Sequence, residues 1–451
     1  MHTYRISPLS LWNAASSGSS ADEIIDALDK WSRFPVPGSV AENIVDTISR
    51  FGVVRMIRLD NGDLILIVSD TAVQLELEHH KKLKGLLEPH GDGFRVRLVD
   101  RGAVKIELIR IGYPVKDETP FAEGESLDFT FSETDTAKSP FSVRDYQKDA
   151  CRAFFGQNKP GFGHGTVVMP CGAGKTVVGM AVMELYKTST LILSTNVAAV
   201  HQWIEEIVDK TSLTREQVGE YTGDRKEIKP VTIATYQILT WRPAKDAPFP
   251  HFSLFHNHKW GLIIYDEVHL LPAPVFRVTA EIQAIRRLGL TATLVREDGR
   301  EEDVFTLVGP KRYDVPWKEL EAKGWIAEAY CHEIRVDLPD DLKIPYATSD
   351  KRGKFRIAAE NYLKNTIAAQ LIQNHREDSI MVIGQYISQL KLLAKELKAP
   401  LITGSTPNPE REVIYESFRK KEIPVIVVSK VANFAIDLPE ASVAIQVSGT
   451  F

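Results

Sequence analysis

The sequence is poor in cysteine, in surplus positive charge and in long apolar runs. Its three cysteines stand far apart without a Cys-x-x-Cys pair, which argues against a zinc site or a disulfide framework and fits a reducing cytoplasm. The formal net charge is −5, so any nucleic acid must be held in a local cleft. No apolar run approaches the roughly 20 residues of a membrane span, and the start of the chain lacks a signal-peptide core, so we expect no membrane association.

The first third of the chain predicts two small domains and a linker. At 451 residues the chain is too long for one ordinary core. Helical spacing predicts a helical N-terminal domain over residues 1–52. Short β-like runs, including 104–111, predict a small α+β accessory module over 53–113, and a polar linker occupies 114–140. None of these segments carries a recognisable catalytic set.

The rest of the chain predicts two α/β domains. Apolar strand candidates alternate with helical patterns over 141–310 and again over 367–451, which is typical of doubly wound parallel sheets. The segment between them, 311–366, loses this rhythm and contains a basic stretch at 351–356. Ligands of such sheets bind beyond the carboxyl ends of the strands, and the motifs below fall at such ends.

The first of these motifs is a phosphate-binding loop, residues 169–176, with the sequence Met-Pro-Cys-Gly-Ala-Gly-Lys-Thr. An apolar strand precedes it and a helix-like segment follows. Backbone N–H groups of such a loop face an anion, Lys175 adds a positive charge, and Thr176 offers a hydroxyl to Mg²⁺. The general pattern has glycine where Met169 stands. Alone, this loop leaves nucleotide binding and a chance glycine turn equally open.

Two carboxylates end a second apolar strand further along the chain. Asp266 can hold Mg²⁺, and Glu267 can orient or deprotonate the attacking water, as in-line phosphoryl transfer requires. Acidic pairs also occur in solvated turns. The phosphate-binding loop and this pair, in this order and on these elements, together indicate a nucleotide hydrolase.

Two weaker signals flank these motifs. Gln147 precedes the phosphate-binding loop, and its carboxamide can bond an adenine edge, although a surface glutamine would look the same. Thr291 and Thr293 end another apolar strand, where hydroxyl groups can relay hydrogen bonds from a phosphate site to a neighbouring domain. An ordinary strand end is the alternative.

Together these motifs resemble superfamily 2 DNA helicases of the XPB type. Their order is Arg-x-Tyr-Gln, Pro-Cys-Gly-Ala-Gly-Lys-Thr, Asp-Glu-Val-His, Leu-Thr-Ala-Thr and Arg-Glu-Asp. Residues 4–13 and 429–440 resemble the family's amino-terminal domain and fifth motif. The resemblance implies an α/β fold with two RecA-like parallel-sheet domains after a small α+β N-terminal region. It implies an ATP-dependent 3′-to-5′ DNA helicase or translocase, with DNA repair as its setting.

The resemblance also implies roles for individual residues. The catalytic residues would be Lys175, Asp266 and Glu267, with Mg²⁺ held by Thr176 and Asp266. ATP would be bound by Arg144, Gln147, Gly172, Ala173, Gly174, Lys175 and Thr176. Coupling of hydrolysis to domain movement would fall to Thr291 and Thr293, and strand separation to Arg296, Glu297 and Asp298. The segment 351–356 would belong to a thumb-like insertion that grips DNA, and 53–113 to a damage-recognition-like module. DNA and a repair nuclease or other repair protein are the expected partners.

Two departures from the family pattern leave alternatives open. Ser429 and Ala432 stand where many relatives have Thr and Gly in the fifth motif. The sixth motif, whose arginines reach the γ-phosphate, would come after Phe451, which predicts a truncated chain that binds ATP and Mg²⁺ but hydrolyses slowly. The alternatives are a double-stranded DNA translocase without productive unwinding and a non-hydrolysing DNA-binding scaffold.

Overall fold

A computed structural model describes most of the chain, in two compact units, residues 1–328 and 329–451. The residues it does not describe are 1–5, 62, 98–99, 136–137, 160, 245–246, 248, 256–257, 272–274, 276–278, 280–284, 294–300, 430–437, 439 and 450–451. None of the helices in the described part is long and apolar enough to cross a bilayer.

Three helices begin the first unit, Pro8–Ser16, Ala21–Trp31 and Gly38–Ser49. Ser7 and Ser20 each accept a bond from the backbone N–H three residues on, forming capping boxes that satisfy donors at the helix start. Trp12 is buried, and its indole N–H donates to the carbonyl oxygen of Thr47 at 3.0 Å. This bond ties the first helix to the third.

A small sheet with two helices follows. Its five strands are ordered β3-β4-β2-β1-β5. Neighbours are antiparallel except β5, which pairs in parallel with β1. The strands are β1 (Val54–Arg58), β2 (Leu64–Val68), β3 (Leu87–His90), β4 (Gly93–Val96) and β5 (Lys116–Asp117), and the helices are Thr71–His79 and Arg101–Arg110.

The prediction of a strand at 104–111 is wrong, because helix Arg101–Arg110 occupies this segment. Its apolar and polar residues alternate, which is the pattern of a half-buried strand. In the structure Lys105 and Glu107 are buried too, because Lys105 pairs with Asp117 at 3.0 Å and Glu107 with Lys82 at 3.1 Å. Ion pairing thus explains why these two polar side chains are buried in a helix, where the alternation indicated the solvent-facing side of a strand.

The doubly wound parallel sheet predicted for the first α/β domain is confirmed. It has seven strands in the order β12-β6-β11-β10-β7-β9-β8, and every neighbouring pair is parallel. The last strand lies beyond residue 310, where we predicted this domain to end. The strands are β6 (His164–Val168), β7 (Thr190–Ser194), β8 (Val218–Tyr221), β9 (Val231–Thr235), β10 (Leu262–Asp266), β11 (Arg286–Thr291) and β12 (Lys311–Asp314).

Helices cover both faces of this sheet. Ile192 and Ile264 belong to the core cluster on one face, and their strand neighbours Leu191 and Ile263 to the cluster on the other. Both faces are thus apolar, which explains the continuous apolar strands. The helices are Asp145–Phe155, Lys175–Tyr186, Val197–Lys210, Tyr236–Thr240, Glu301–Leu307 and Trp317–Ala322, with 3₁₀ segments Gly156–Asn158, Pro250–Phe255 and Val268–Leu270.

The second unit contains another parallel sheet, ordered β14-β15-β13-β16. The basic stretch 351–356 lies in a helix that Asp350 caps by accepting the Gly353 N–H at 2.7 Å. The strands are β13 (Ile380–Ile383), β14 (Leu401–Ile402), β15 (Val425–Val428) and β16 (Val443–Gln446). The helices are Asp340–Thr348, Lys351–Ala359, Tyr362–Asn374, Ile387–Leu397 and Asn408–Arg419.

Candidate nucleotide-binding site

Three motifs of the first unit meet at one edge of its sheet. The phosphate-binding loop leaves β6, the threonine pair ends β11, and the carboxylate pair ends β10. These strands are neighbours, with Val168 opposite Thr291 and Leu290 opposite Asp266. Segments far apart in sequence therefore share one site, as expected for the carboxyl ends of parallel strands.

The phosphate-binding loop needs its glycines. Gly172 and Gly174 have φ angles of +76° and +75°, in the left-handed region that side chains disfavour. A Cβ on Gly174 would lie 2.5 Å from Nε2 of Gln147. Met169, where the general pattern has glycine, is fully buried and its N–H donates to the Thr291 carbonyl at 2.9 Å. Met169 thus anchors the loop to β11.

Residues predicted to bind adenine lie against this loop. Tyr146 Oη and Gln147 Nε2 both donate to the carbonyl oxygen of Ala173, at 2.9 and 3.1 Å. Gln147 Oε1 accepts the Arg144 N–H at 2.9 Å, and only 3% of Gln147 is exposed. The Arg144 guanidinium stacks 4.5 Å above the Trp325 ring. In this structure the Gln147 carboxamide braces the phosphate-binding loop.

Asp266 is a partly buried carboxylate with one oxygen fixed by two donors. Its Oδ2 accepts from Ser194 Oγ and from Trp203 Nε1, each at 3.0 Å. Burial, followed by the charge of Glu267, raises the pKa of Asp266, while these two bonds oppose the rise. The site therefore holds a carboxylate that a nearby cation would stabilise in its charged form.

Glu267 connects the two motifs. Its backbone has φ +48°, an uncommon conformation for a residue with a side chain. Glu267 Oε1 lies 3.4 Å from Lys175 Nζ, and Oε2 lies 3.4 Å from His269 Nδ1. The Glu267 carboxylate and the loop lysine therefore form an ion pair that is largely shielded from solvent.

His269 carries the contact onward to the threonine pair. Its Nδ1 lies 2.8 Å from Thr291 Oγ1. The Thr291 hydroxyl donates to the Thr293 carbonyl and accepts the Thr293 N–H at 3.1 Å. Because that hydroxyl has a single hydrogen, His269 Nδ1 must be the donor to Thr291. A continuous series of contacts thus runs from Lys175 to Thr293.

Some functional candidates were missed and some cannot be placed. No sequence pattern indicated that Trp203, on the apolar face of helix Val197–Lys210, donates a hydrogen bond to the carboxylate of Asp266. His269 stood in the Asp-Glu-Val-His motif without an assigned role. The predicted strand-separating residues Arg296, Glu297 and Asp298 lie outside the described residues, as does Ala432 of the fifth motif.

Metal ligands are sparse in the described part of the chain. No group of three or more His, Cys, Asp or Glu side chains there is arranged to hold a metal ion. Mg²⁺ that binds together with a nucleotide takes part of its coordination from phosphate oxygens and water.

The first unit has a parallel sheet in which a phosphate-binding loop lies beside a strand that ends in Asp-Glu, and the second unit has a parallel sheet of its own. This combination defines a class of protein, the RecA-like nucleotide-driven motors. Comparisons with known families narrow this class. Residues 320–451 match the family described as ERCC3/RAD25/XPB C-terminal helicase. Residues 140–296 match the type III restriction enzyme res subunit, and residues 1–90 match the helicase conserved C-terminal domain.

Similar proteins give the particular family. "DNA 3'-5' helicase XPB" of Mycobacterium tuberculosis is 47% identical over 453 residues, which cover 100% of this chain and 80% of the relative. The protein of the same name from Kineococcus radiotolerans is also 47% identical, with 79% of its length covered. A "General transcription and DNA repair factor IIH helicase/translocase subunit XPB" from Enterocytozoon bieneusi is 31% identical, with 100% and 76% coverage. The chain belongs to the XPB family of DNA 3′-to-5′ helicases.

Proposed function

We propose that the protein couples ATP hydrolysis at this site to 3′-to-5′ unwinding of DNA during DNA repair. The observation that carries the proposal is the series of contacts from Lys175 through Glu267 and His269 to Thr291. It joins the phosphate-binding loop to the strand end that would signal to the rest of the motor. The names of the related proteins support the 3′-to-5′ direction of unwinding and the setting in DNA repair.

The ion pair between Lys175 and Glu267 is where nucleotide would act first. Nucleotide phosphates would bind the N–H groups at the start of helix Lys175–Tyr186 and the Lys175 ammonium. Phosphate oxygens would then replace Glu267 as the partner of Lys175. Glu267 would be released to orient the attacking water or accept its proton.

Asp266 and Thr176 would hold Mg²⁺ with the nucleotide phosphates. Bound Mg²⁺ neutralises phosphate charge and orients the transferred group. Asp266 fits this role, because enclosure by the protein and the charge of Glu267 raise its pKa, and a bound cation would offset both effects. Ser194 and Trp203 both bind Oδ2, which leaves Oδ1 as the oxygen for a metal ion or a water molecule.

Rearrangement of Glu267 would reach Thr291 through His269. When Glu267 leaves Lys175, its contact with His269 changes, and the His269–Thr291 bond passes this change to Thr293. We propose that this relay couples hydrolysis to domain movement. Arg144 and Gln147 would report adenine binding to the phosphate-binding loop through Ala173, and Arg296, Glu297 and Asp298 would separate the strands.

The experiment combines nucleotide binding, hydrolysis and unwinding in the full-length protein. Lys175→Ala removes the phosphate contact, so it should abolish binding of a fluorescent ATP analogue. Glu267→Gln keeps the shape but not the base, so it should bind ATP and hydrolyse it about 10²–10⁴-fold more slowly. Lys187→Asn, just past the opposite end of the same helix, is the matched control.

Duplexes with a single-stranded 3′ or 5′ overhang test the direction of unwinding. The wild type should displace a strand from the 3′-tailed duplex alone, and Glu267→Gln should displace neither. Full DNA-stimulated hydrolysis by Lys175→Ala, or displacement restricted to the 5′-tailed duplex, would overturn the proposal.

A further inference from the structure

A cavity of about 690 Å³ lies where the N-terminal helices, the accessory module and the first parallel sheet meet. It is remote from the phosphate-binding loop, because His164 lies at the opposite end of β6 from that loop. The ionisable side chains in its lining are Arg55, Lys105, Lys116, Asp117, His164 and Arg312. Its volume is within the range of small-ligand sites.

Positive charge is concentrated at the inner wall of this cavity. Arg101 and Lys105 share the carboxylate of Asp117, at 2.8 and 3.0 Å. Arg312 instead donates to the backbone carbonyls of His164, at 3.0 Å, and Gly161. Nearby, Arg287 Nε donates to the Leu307 carbonyl at 2.7 Å. Arg101 and Lys105 thus share one carboxylate, while the Arg312 guanidinium is anchored on neutral carbonyl oxygens.

The ionisation of these groups reflects this surplus. Burial, with Arg287 and Arg101 nearby, lowers the pKa of Lys105 to about 8 in spite of Asp117. Burial and the charges of Arg312, Arg287 and Lys105 hold the pKa of His164 well below its ordinary value. Burial would favour protonation of Asp117, but Arg101 and Lys105 hold its pKa well below the usual range. Such surroundings favour a further negative charge.

His164 supplies an independent sign of a ligand. The residue is buried and lines the cavity, yet among the described residues its Nδ1 has no hydrogen-bond partner. A buried polar atom without a partner is costly, so such atoms call for an explanation. A neutral imidazole can donate from Nδ1 to a ligand oxygen.

We propose that this cavity binds a small phosphorylated compound with an aromatic or apolar body, of the nucleoside monophosphate class. Phosphate oxygens would accept from His164 and lie among the cations of Arg55, Lys105 and Arg312, which line the cavity. Phe51, Phe162 and Phe305, which also line the cavity, would contact the body of the ligand. The ligand would contact the accessory module and β6 together, so its binding would strengthen their junction.

The probe is AMP, and the protein is the full-length chain carrying Lys175→Ala, which disables the phosphate-binding loop. Equilibrium dialysis should show one saturable site per chain for AMP and none for adenosine. Arg55→Gln, at the cavity wall, should weaken AMP binding at least tenfold. Arg95→Gln is the matched control, because it lies in the same sheet outside the cavity lining, and both arginines are in ion pairs with 46% and 45% of the side chain exposed.

His164→Gln tests the buried donor separately, and its thermal unfolding should remain cooperative because no side-chain bond of the described residues depends on Nδ1. It should also weaken AMP binding. Absence of saturable AMP binding in the millimolar range, equal binding of adenosine, or unchanged affinity in Arg55→Gln would each overturn the proposal. Because the phosphate-binding loop is disabled throughout, none of these outcomes depends on the function proposed above.

Discussion

Replacing Trp203 by phenylalanine tests whether its indole N–H fixes the carboxylate of Asp266. The substitution keeps an aromatic ring but removes the donor to Asp266 Oδ2. A hydrogen bond to a charged group contributes about 1.5–3 kcal/mol, and the smaller ring leaves a void that costs roughly 1–2 kcal/mol more. Trp203→Phe should therefore destabilise the first unit by about 2.5–5 kcal/mol.

Trp260→Phe separates the carboxylate contact from the loss of a tryptophan. Trp203 and Trp260 are each 2% exposed, and the indole N–H of Trp260 donates to a neutral carbonyl, that of Leu254, at 2.8 Å. A neutral hydrogen bond is worth only about 0.5–1.5 kcal/mol. Trp203→Phe should thus cost about 1 kcal/mol more than Trp260→Phe in urea unfolding.

The pH profile of ATP hydrolysis gives the decisive measurement. The Trp203 bond favours charged Asp266 and so lowers its pKa, against the effect of burial. Without that bond, Asp266 protonates at higher pH, and the acid limb of activity should move upward in Trp203→Phe and stay in place in Trp260→Phe. Coincident acid limbs for the two variants would refute the reasoning.

Three further substitutions probe the backbone of the loop, the cost of the partly buried carboxylate and the second unit. Gly174→Ala should abolish binding of a fluorescent ATP analogue, because the left-handed backbone conformation costs alanine about 1–2 kcal/mol and the added Cβ would clash with Gln147. Gly223→Ala is the control and should bind the analogue normally, since a Cβ at this position meets open space. Asp266→Asn should raise the melting temperature more at neutral pH than near the ordinary Asp pKa of 3.8, because a raised folded-state pKa destabilises the wild type increasingly as pH rises above that value. An equal gain at both pH values would contradict this. Arg411→Met should speed amide hydrogen exchange in residues 403–406, because Arg411 donates to the carbonyls of Thr403, Gly404 and Thr406 at 2.8–3.1 Å. Arg419→Met, in the same helix, is the control and should leave this exchange unchanged.

The parallel sheets could be predicted because burial on both faces leaves a direct trace in the sequence. Strands such as β7 and β10 are apolar along their length, and glycine or polar motifs mark where they end. Strand β8 was not predicted. It contains Glu220, which is buried and accepts from the Thr222 hydroxyl at 2.8 Å, so a charged residue interrupts the apolar pattern.

The site was predictable where the backbone dictates residue type and not where tertiary contacts do. Gly174 is required by its own φ angle, and such positions recur in a fixed local pattern. Trp203 and Asp266 are 63 residues apart, and their bond depends on how a helix packs over the sheet. The same limit applies to Gln147, since only the packing of its helix shows that its carboxamide braces Ala173.

Two costly features of the first unit lie together at the carboxyl end of β10. Glu267 has a left-handed backbone, and Asp266 is a partly buried carboxylate with a raised pKa. Residues such as Ile264 and Leu290, fully buried in β10 and its neighbour β11, supply the packing that tolerates this cost. If the strain were incidental, substitutions that relieve it would spare activity. A stable but inactive Asp266→Asn would show instead that the site keeps an unfavourable charge because nucleotide and metal are what compensate it.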